Sequence, residues 1–411
     1  MTLPRTHRRR LATVGMLTSA AMIITMVASP ATATPATAEI RNAGSATAVA
    51  DSYIVVLKDS AVGAPAGSRQ PTVQQTADSL AERFGGTIGH VYRDALHGFE
   101  IQLSEQAAHR LAADPAVAYV EQNQVTPTIA SGVQPNPPSW GLDRIDQRHL
   151  PLDNQYAYPN TAPNVHAYLV DTGIRGTHLD FGGRVTGGVD LVDGALPADD
   201  CNGHGTHLAG TVGGTDHGVA KAVQLHPVRV FGCTGSGTQA TVIAGVDWIT
   251  GNAVRPAVAL MGLGGAASTS LDAAVTNSIA SGITYAVASG SSNGNACNYS
   301  PARVPAALTT AGTTPTDARM TSNNHGPCLD LHAPGSGITS TWYTSNTATA
   351  TISGSSMAAA HVAGCAALVL SAQPTWSPAR VARYLIRRAT VGVVTGVPTD
   401  DTPNRLLYCG P

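Results

Sequence analysis

Charged side chains are scarce in this 411-residue chain, at 12%, and the formal net charge is only -2. So weakly charged a surface gives no electrostatic footing for nucleic acid or an anionic membrane. With hydrophobic residues at 43%, solubility rests mainly on Ser, Thr, Asn and Gly, a pattern suited to export. Long apolar runs are missing after Val27, so no later segment is expected to span a bilayer. The composition is not that of a disordered chain. Its length leaves room for a leader, a small domain and one large domain with a substantial core.

The one long apolar run lies at the N-terminus and reads as a secretory signal over residues 1–38. Arg5, Arg8, Arg9 and Arg10 make a positive start, Leu11 to Val27 an apolar stretch, and Ala31-Thr32-Ala33 and Ala36-Thr37-Ala38 small-residue cleavage sites. About 17 apolar residues is near the minimum for a membrane span, so an uncleaved anchor is the alternative. Charge placement and the Ala-x-Ala sites favour cleavage, a secreted extracellular protein, and no membrane contact afterwards.

Export makes the six cysteines candidates for disulfides. Cys201 and Cys233 would close a loop of about 32 residues, and Cys297 and Cys328 one of about 31. Each such bridge contributes roughly 3–4 kcal/mol in the loop-entropy model. Six cysteines allow about fifteen connectivities, so spacing proves none of them. Cys365 lies in an apolar run and reads as a buried thiol. The partner of Cys409 is open.

Two units follow the leader. Residues 39–130 read as a short linker, then a small α+β domain. It comprises a β-rich run at Tyr53–Leu57 and a helix from Pro71 to Phe84 stopped by Gly85-Gly86. One or two strands follow over Val91–Leu103, then a helix capped by Ser104, then a strand at Ala116–Val120. That order is a split βαβ unit. The proline-rich stretch from Gln122 to Pro138 reads as an exposed, cleavable connector. From residue 131 to 411, apolar strand candidates at Val165–Val170, Leu225–Val230, Ala257–Leu263 and Ile283–Ala288 alternate with helices at Thr238–Thr250 and Ser270–Ser281. This alternation predicts an α/β layered domain with a mostly parallel sheet flanked by helices. Ser377-Pro378 opens a further helix with Val381, Tyr384 and Leu385 on one face.

Three short segments carry chemistry: Asp171-Thr172-Gly173, His204-Gly205-Thr206-His207 and Gly354-Ser355-Ser356-Met357-Ala358. A serine hydroxyl is a poor nucleophile until an imidazole takes its proton. That imidazole needs a carboxylate to fix its tautomer and stabilise its charged form. Each segment alone is weak evidence, since Asp-Thr-Gly is often a turn and Gly-Ser-Ser often a helix cap. His204 and His207, three apart with no carboxylate set nearby, do not make a metalloprotease pattern. Asp171 directly follows a strand candidate, where functional residues of parallel sheets lie.

Taken together, and with Asp200-Cys201-Asn202-Gly203 before His204, Asn298-Tyr299-Ser300-Pro301, and His361-Val362-Ala363-Gly364, these segments resemble the subtilisin-family serine proteases of the proteinase K branch. Residues 51–124 resemble the inhibitor-like propeptide of that family. The resemblance implies a subtilisin-like domain over 131–411, with Ser356 the nucleophile, His204 the general base and Asp171 the orienting carboxylate. His207 is then structural. It implies the pairings Cys201–Cys233 and Cys297–Cys328. Gly235, Ser236 and Gly237 would pair with an extended peptide, with Leu263 and Gly264 across the cleft. Ala288, Ser289 and Gly290 would wall the primary specificity pocket and favour apolar or aromatic side chains. The implied partners are protein or peptide substrates and the chain's own propeptide as inhibitor, and a monomer is expected. A structural Ca²⁺ would sit on Pro305, Ala307 and Asp330, a hard-oxygen set, and no catalytic cofactor is called for.

Departures from the family pattern gather around the active centre. Ser291 stands where the family has the asparagine that donates to the oxyanion, and its hydroxyl is shorter. Losing one such donor lowers turnover about a hundred- to a thousandfold. Asn293 would substitute only if its loop shifted. Leu260-Met261-Gly262-Leu263 replaces Asn-Met-Ser-Leu, Ser355 replaces a threonine, Ala359-Ala360 lacks the usual proline, and Thr310-Ala311-Gly312 and His332 also differ. A secreted endopeptidase of reduced activity is the first expectation, and a silenced pseudo-protease that binds peptides the second. A lipase or esterase is excluded, because no Gly-x-Ser-x-Gly elbow surrounds Ser356 and the order of the three residues differs.

Overall fold

The computed structural model describes residues 38–45, 48–62, 71–124 and 131–411, so residues 1–37 of the expected signal and 125–130 of the expected connector lie outside the described residues; the connector's two ends are strand rather than loose chain, Gln122–Gln124 closing one strand and Gly132–Pro135 pairing with Gln155–Tyr158. The chain divides into two compact units after Gln124. The first holds strands β1 (Ile40–Arg41) and β2 (Ala48–Leu57), helix α1 (Val73–Phe84), strands β3 (Thr87–Tyr92) and β4 (Gly98–Gln102), helix α2 (Glu105–Ala112) and strand β5 (Val117–Gln124). Helix α1 starts in a capping box between Thr72 and Gln75 and ends at Gly85, whose φ of 78° closes the last turn. The sheet runs β1-β5-β2-β4-β3, and Val55, Phe99, Ile101 and Val120 fill its core beside Ala77, Leu80 and Leu111 from the helices.

Two details differ from expectation. Residues read as linker contribute β1 and the start of β2; β1 is a two-residue edge strand, too short to show periodicity, and forms by pairing Ile40 with Val120. Strand β3 begins at Thr87 rather than near Val91, carrying Gly89 and His90 that mask its alternation.

The second unit contains β6 (Gly132–Pro135), α3 (Trp140–Ile145), β7 (Gln155–Tyr158), β8 (His166–Asp171), β9 (Val189–Asp190), α4 (His204–Gly213), β10 (Gln224–Arg229), α5 (Gln239–Asn252), β11 (Ala257–Met261) and β12 (Gly265–Ala266). It continues with α6 (Thr269–Ala280), β13 (Thr284–Ala288), β14 (Tyr299–Ser300), β15 (Leu308–Thr313), β16 (Leu331–Pro334), β17 (Ile338–Thr341), β18 (Thr349–Ile352), α7 (Ser355–Ala372), α8 (Pro378–Arg388), β19 (Thr390–Val391) and β20 (Arg405–Leu406). Among the described residues the main sheet has nine strands in the order β19-β20-β16-β15-β13-β11-β8-β10-β9. Its pairs are parallel except β19 with β20.

Strand β8 is buried on both faces. Ala167 and Leu169 enter a core with α4 and α7, while Tyr168 and Val170 enter a second core with α5 and α6. This two-sided burial is why the strand reads as a continuous apolar run. Helix α7 has the length and composition of a membrane-crossing helix, contrary to the expectation that no later segment does, yet its hydrophobic window is 83% buried. It is apolar all round because protein surrounds it. Disulfides join Cys201 to Cys233 and Cys297 to Cys328. A third joins Cys365 on α7 to Cys409, so Cys365 is not the free thiol its apolar neighbours suggested. Hydropathy reports burial but not which residue faces it.

Candidate active site

The site is assembled at the carboxyl ends of the central strands. Asp171 closes β8, in register with Arg229 on β10, and is 1% exposed. Its Oδ1 accepts the Thr172 N–H at 2.9 Å and the His204 Nδ1 at 2.7 Å. Gly173 turns the chain away with a φ of 107°, and a Cβ there would lie 2.7 Å from the Ala198 carbonyl oxygen. Side chains are excluded at this turn by space as well as by dihedral.

His204 is the first residue of α4, and Asp200, named within the Asp200-Cys201-Asn202-Gly203 motif but given no role there, helps to hold the helix start. Gly203 supplies no side-chain cap. Instead Asp200 Oδ1 accepts the N–H groups of Asn202 and Gly203 and the Thr172 hydroxyl, while Oδ2 accepts the Thr206 N–H and hydroxyl. The helix's first N–H groups are thus divided among three side chains: Asn202 Oδ1 accepts from His204, the Thr172 hydroxyl from Gly205 and Asp200 Oδ2 from Thr206, with Asp200 holding the other two in place. The only sequence signal of Asp200 is an acid four residues ahead of the helix. Burial pushes the His204 imidazole down, but the Asp171 charge and hydrogen bond and the Asp200 charge outweigh it, leaving His204 raised above its ordinary value. Because Nδ1 is taken by Asp171, Nε2 is the nitrogen left for proton exchange. His207 is buried, contacts the Ile338 carbonyl oxygen at 3.0 Å through Nε2, and is pushed down to about 4 mainly by burial. That is the environment of a neutral core histidine.

Ser356 lies in the first turn of α7. In this conformation its hydroxyl donates to the Gly262 carbonyl at 2.7 Å. Leu263, Gly264, Ala288, Ser289, Gly290, Ser291, Asn324 and Ser356 line one recess, and His204, Gly235, Leu263 and Gly264 line a second. Gly262 belongs to both. Ser236 and Gly237 stand on the same exposed loop as Gly235 but line neither recess.

The loop after β13 is anchored by Asn324, which no sequence signal marked. Asn324 is fully buried; its Oδ1 accepts the N–H groups of Ser292 and Gly294, and its Nδ2 donates to the Ser289 carbonyl at 2.8 Å. Ser291 sits exposed on this fixed loop. Asn293 is turned aside, its side-chain oxygen accepting from Arg319 at 2.9 Å and its N–H donating to Ser322, so no loop shift brings it inward here.

Among the described residues no group of three or more His, Cys, Asp or Glu side chains is arranged to hold a metal ion. Asp330 accepts the Thr309 N–H at 2.9 Å and is pushed up to about 6 by burial. Asp330 is half-buried and brings the one carboxylate of the expected set, while Pro305 and Ala307 would bring backbone oxygens, the donor type a hard cation takes.

A model of the subtilase family matches residues 165–406, and one of the peptidase inhibitor I9 family matches residues 52–128. The chain belongs to the subtilase family. It is a serine endopeptidase. It is 48% identical over 372 residues to an extracellular serine proteinase of Thermus sp. (strain Rt41A), covering 88% of this chain and 90% of that protein. It is 44% identical over 365 residues to alkaline serine exoprotease A of Vibrio alginolyticus, covering 88% and 68%. Among solved structures, a cold adapted subtilisin-like serine proteinase matches with a TM-score of 0.64 and 50% identity, over 66% of this chain and 98% of that one. The subtilase domain is thus preceded by an inhibitor-type domain, as the early residues suggested.

Proposed function

We propose that this subtilase hydrolyses peptide bonds through an acyl-enzyme on Ser356. His204 Nε2 takes the hydroxyl proton as Ser356 attacks the scissile carbonyl, then returns it to the leaving amine. Asp171 holds the tautomer and stabilises the imidazolium. The observation that carries this is the 2.7 Å contact between His204 Nδ1 and Asp171, with Ser356 at a helix start beside Gly262. The developing oxyanion is met by the Ser356 N–H at the positive end of α7. Ser291 would reach it only through water, so turnover is reduced. The recess walled by Ala288, Ser289 and Gly290 carries no charged side chain, which favours apolar or aromatic residues before the cleaved bond. Gly235, Ser236 and Gly237 would add the substrate as an extended strand.

The chain is read as a secreted precursor whose inhibitor domain holds the enzyme silent until self-cleavage before the catalytic domain. The test is the purified full chain beside Ser356→Ala. The unmodified chain is expected to cut itself and to react covalently with a serine-directed phosphonate, and the variant to do neither. An unmodified chain that stays whole and unlabelled overturns this reading in favour of a peptide-binding pseudo-protease, for which Ser291 is the motive.

Calcium is read as a structural ion held by Pro305, Ala307 and Asp330, supplying fixed positive charge beside a half-buried carboxylate. Chelation is expected to lower the melting temperature by several degrees, and Asp330→Asn to remove most of that difference. Equal melting of chelated and calcium-loaded protein would discard the assignment.

A further inference from the structure

Both ends of the catalytic set meet at Gly262. Its carbonyl accepts the Ser356 hydroxyl at 2.7 Å. A Cβ built on it would lie 3.4 Å from Asp171 Oδ2 and 3.3 Å from Ser356 Cβ. The two oxygens of Asp171 are unequally engaged. Oδ1 serves Thr172 and His204, while Oδ2 is buried without a protein donor. The residue that faces this oxygen is the one residue type with no side chain to offer. A hydroxyl on a 262 side chain would come within hydrogen-bond reach.

We propose that Gly262 is a positioning residue that sets the basicity of His204 by leaving Asp171 Oδ2 without a side-chain donor. This rests on the catalytic roles proposed above. Each donor to a carboxylate spreads its charge and weakens its pull on the remaining partners. With Oδ2 ungiven, the carboxylate acts on the imidazole at full strength. The base that deprotonates Ser356 is therefore stronger, and the acid limb of activity lies at higher pH than a serine at 262 would allow. The groups facing His204 are Asp171 from β8, Asp200 from the loop ahead of α4 and His207 from its own helix. The buried His361 of α7 is turned elsewhere, its Nδ1 on the Met357 carbonyl at 2.8 Å, and burial pushes it down to about 4. Nothing titratable enters from Met261 to Leu263.

The test compares Gly262→Ser with Gly262→Ala in the full chain, reading the His204 midpoint by NMR of its imidazole and by the acid limb of kcat/KM. Gly262→Ser is expected to lower both by on the order of one pH unit. Gly262→Ala, which fills the space without a donor, is expected to leave the midpoint in place. Coincident midpoints in the two variants overturn the proposal. The added Cβ would lie 2.3 Å from Leu208 Cδ1, so both are repeated with Leu208→Val, which gives room if the single variants do not fold. The NMR midpoint needs no turnover. A shifted midpoint in a chain that cleaves nothing refutes the catalytic roles but keeps the tuning, whereas cleavage with coincident midpoints refutes the tuning alone.

Discussion

Ser291→Asn is expected to raise turnover about a hundred- to a thousandfold, with KM changed little, because one oxyanion donor is worth that much when it acts only on the transition state. The site is prepared for the change. Asn324 ties Ser289, Ser292 and Gly294, so the backbone around position 291 does not depend on its side chain. Ser291 is exposed within the same recess as Ser356, which leaves space for the longer amide. Asn293 is turned aside, its side-chain oxygen accepting from Arg319. Steady-state kinetics on a chromogenic peptide decide the matter. A kcat within twofold of the unmodified chain would mean that another donor already meets the oxyanion.

Arg144→Leu is expected to destabilise the catalytic domain by about 3–5 kcal/mol, the usual result of leaving one member of a buried ion pair alone. The Arg144 side chain is 0% exposed. Its Nε and Nη2 donate to the two oxygens of Asp317 at 2.7 and 2.9 Å, and its Nη1 donates to the Gln147 carbonyl at 2.8 Å. Removing it strands a carboxylate that is 8% exposed and frees a backbone acceptor. Replacing both partners, Arg144→Leu with Asp317→Leu, is expected to recover much of the loss, since no uncompensated charge then remains. Denaturant unfolding of the two variants separates these outcomes. Equal stabilities for the single and double variants would show that the cost lies in packing rather than in the orphaned charge.

Local patterns made much of this protein legible before any coordinates. The continuous apolar run of β8, the Gly85-Gly86 stop of α1 and the Ser377-Pro378 start of α8 each state their structure within a few residues, because capping and two-sided burial are short-range or compositional. Asp171, His204 and Ser356 stood out through the short motifs that carry them; the structure joins the first two directly, whereas the Ser356 hydroxyl bonds the Gly262 carbonyl. Tertiary structure alone decided what crosses the sheet. No pattern near Asn324 reveals that it fastens the loop of Ser291, and nothing beside Asp200 announces that it caps the helix carrying His204. Cys365 and Cys409 pair across 44 residues, a choice among fifteen connectivities that only packing makes. The meeting of Gly262 with the free oxygen of Asp171 is of the same kind. Sequence determines which groups a chain carries and how each segment prefers to fold; whether a buried oxygen finds a donor depends on residues dozens of positions away, brought together only when the core closes.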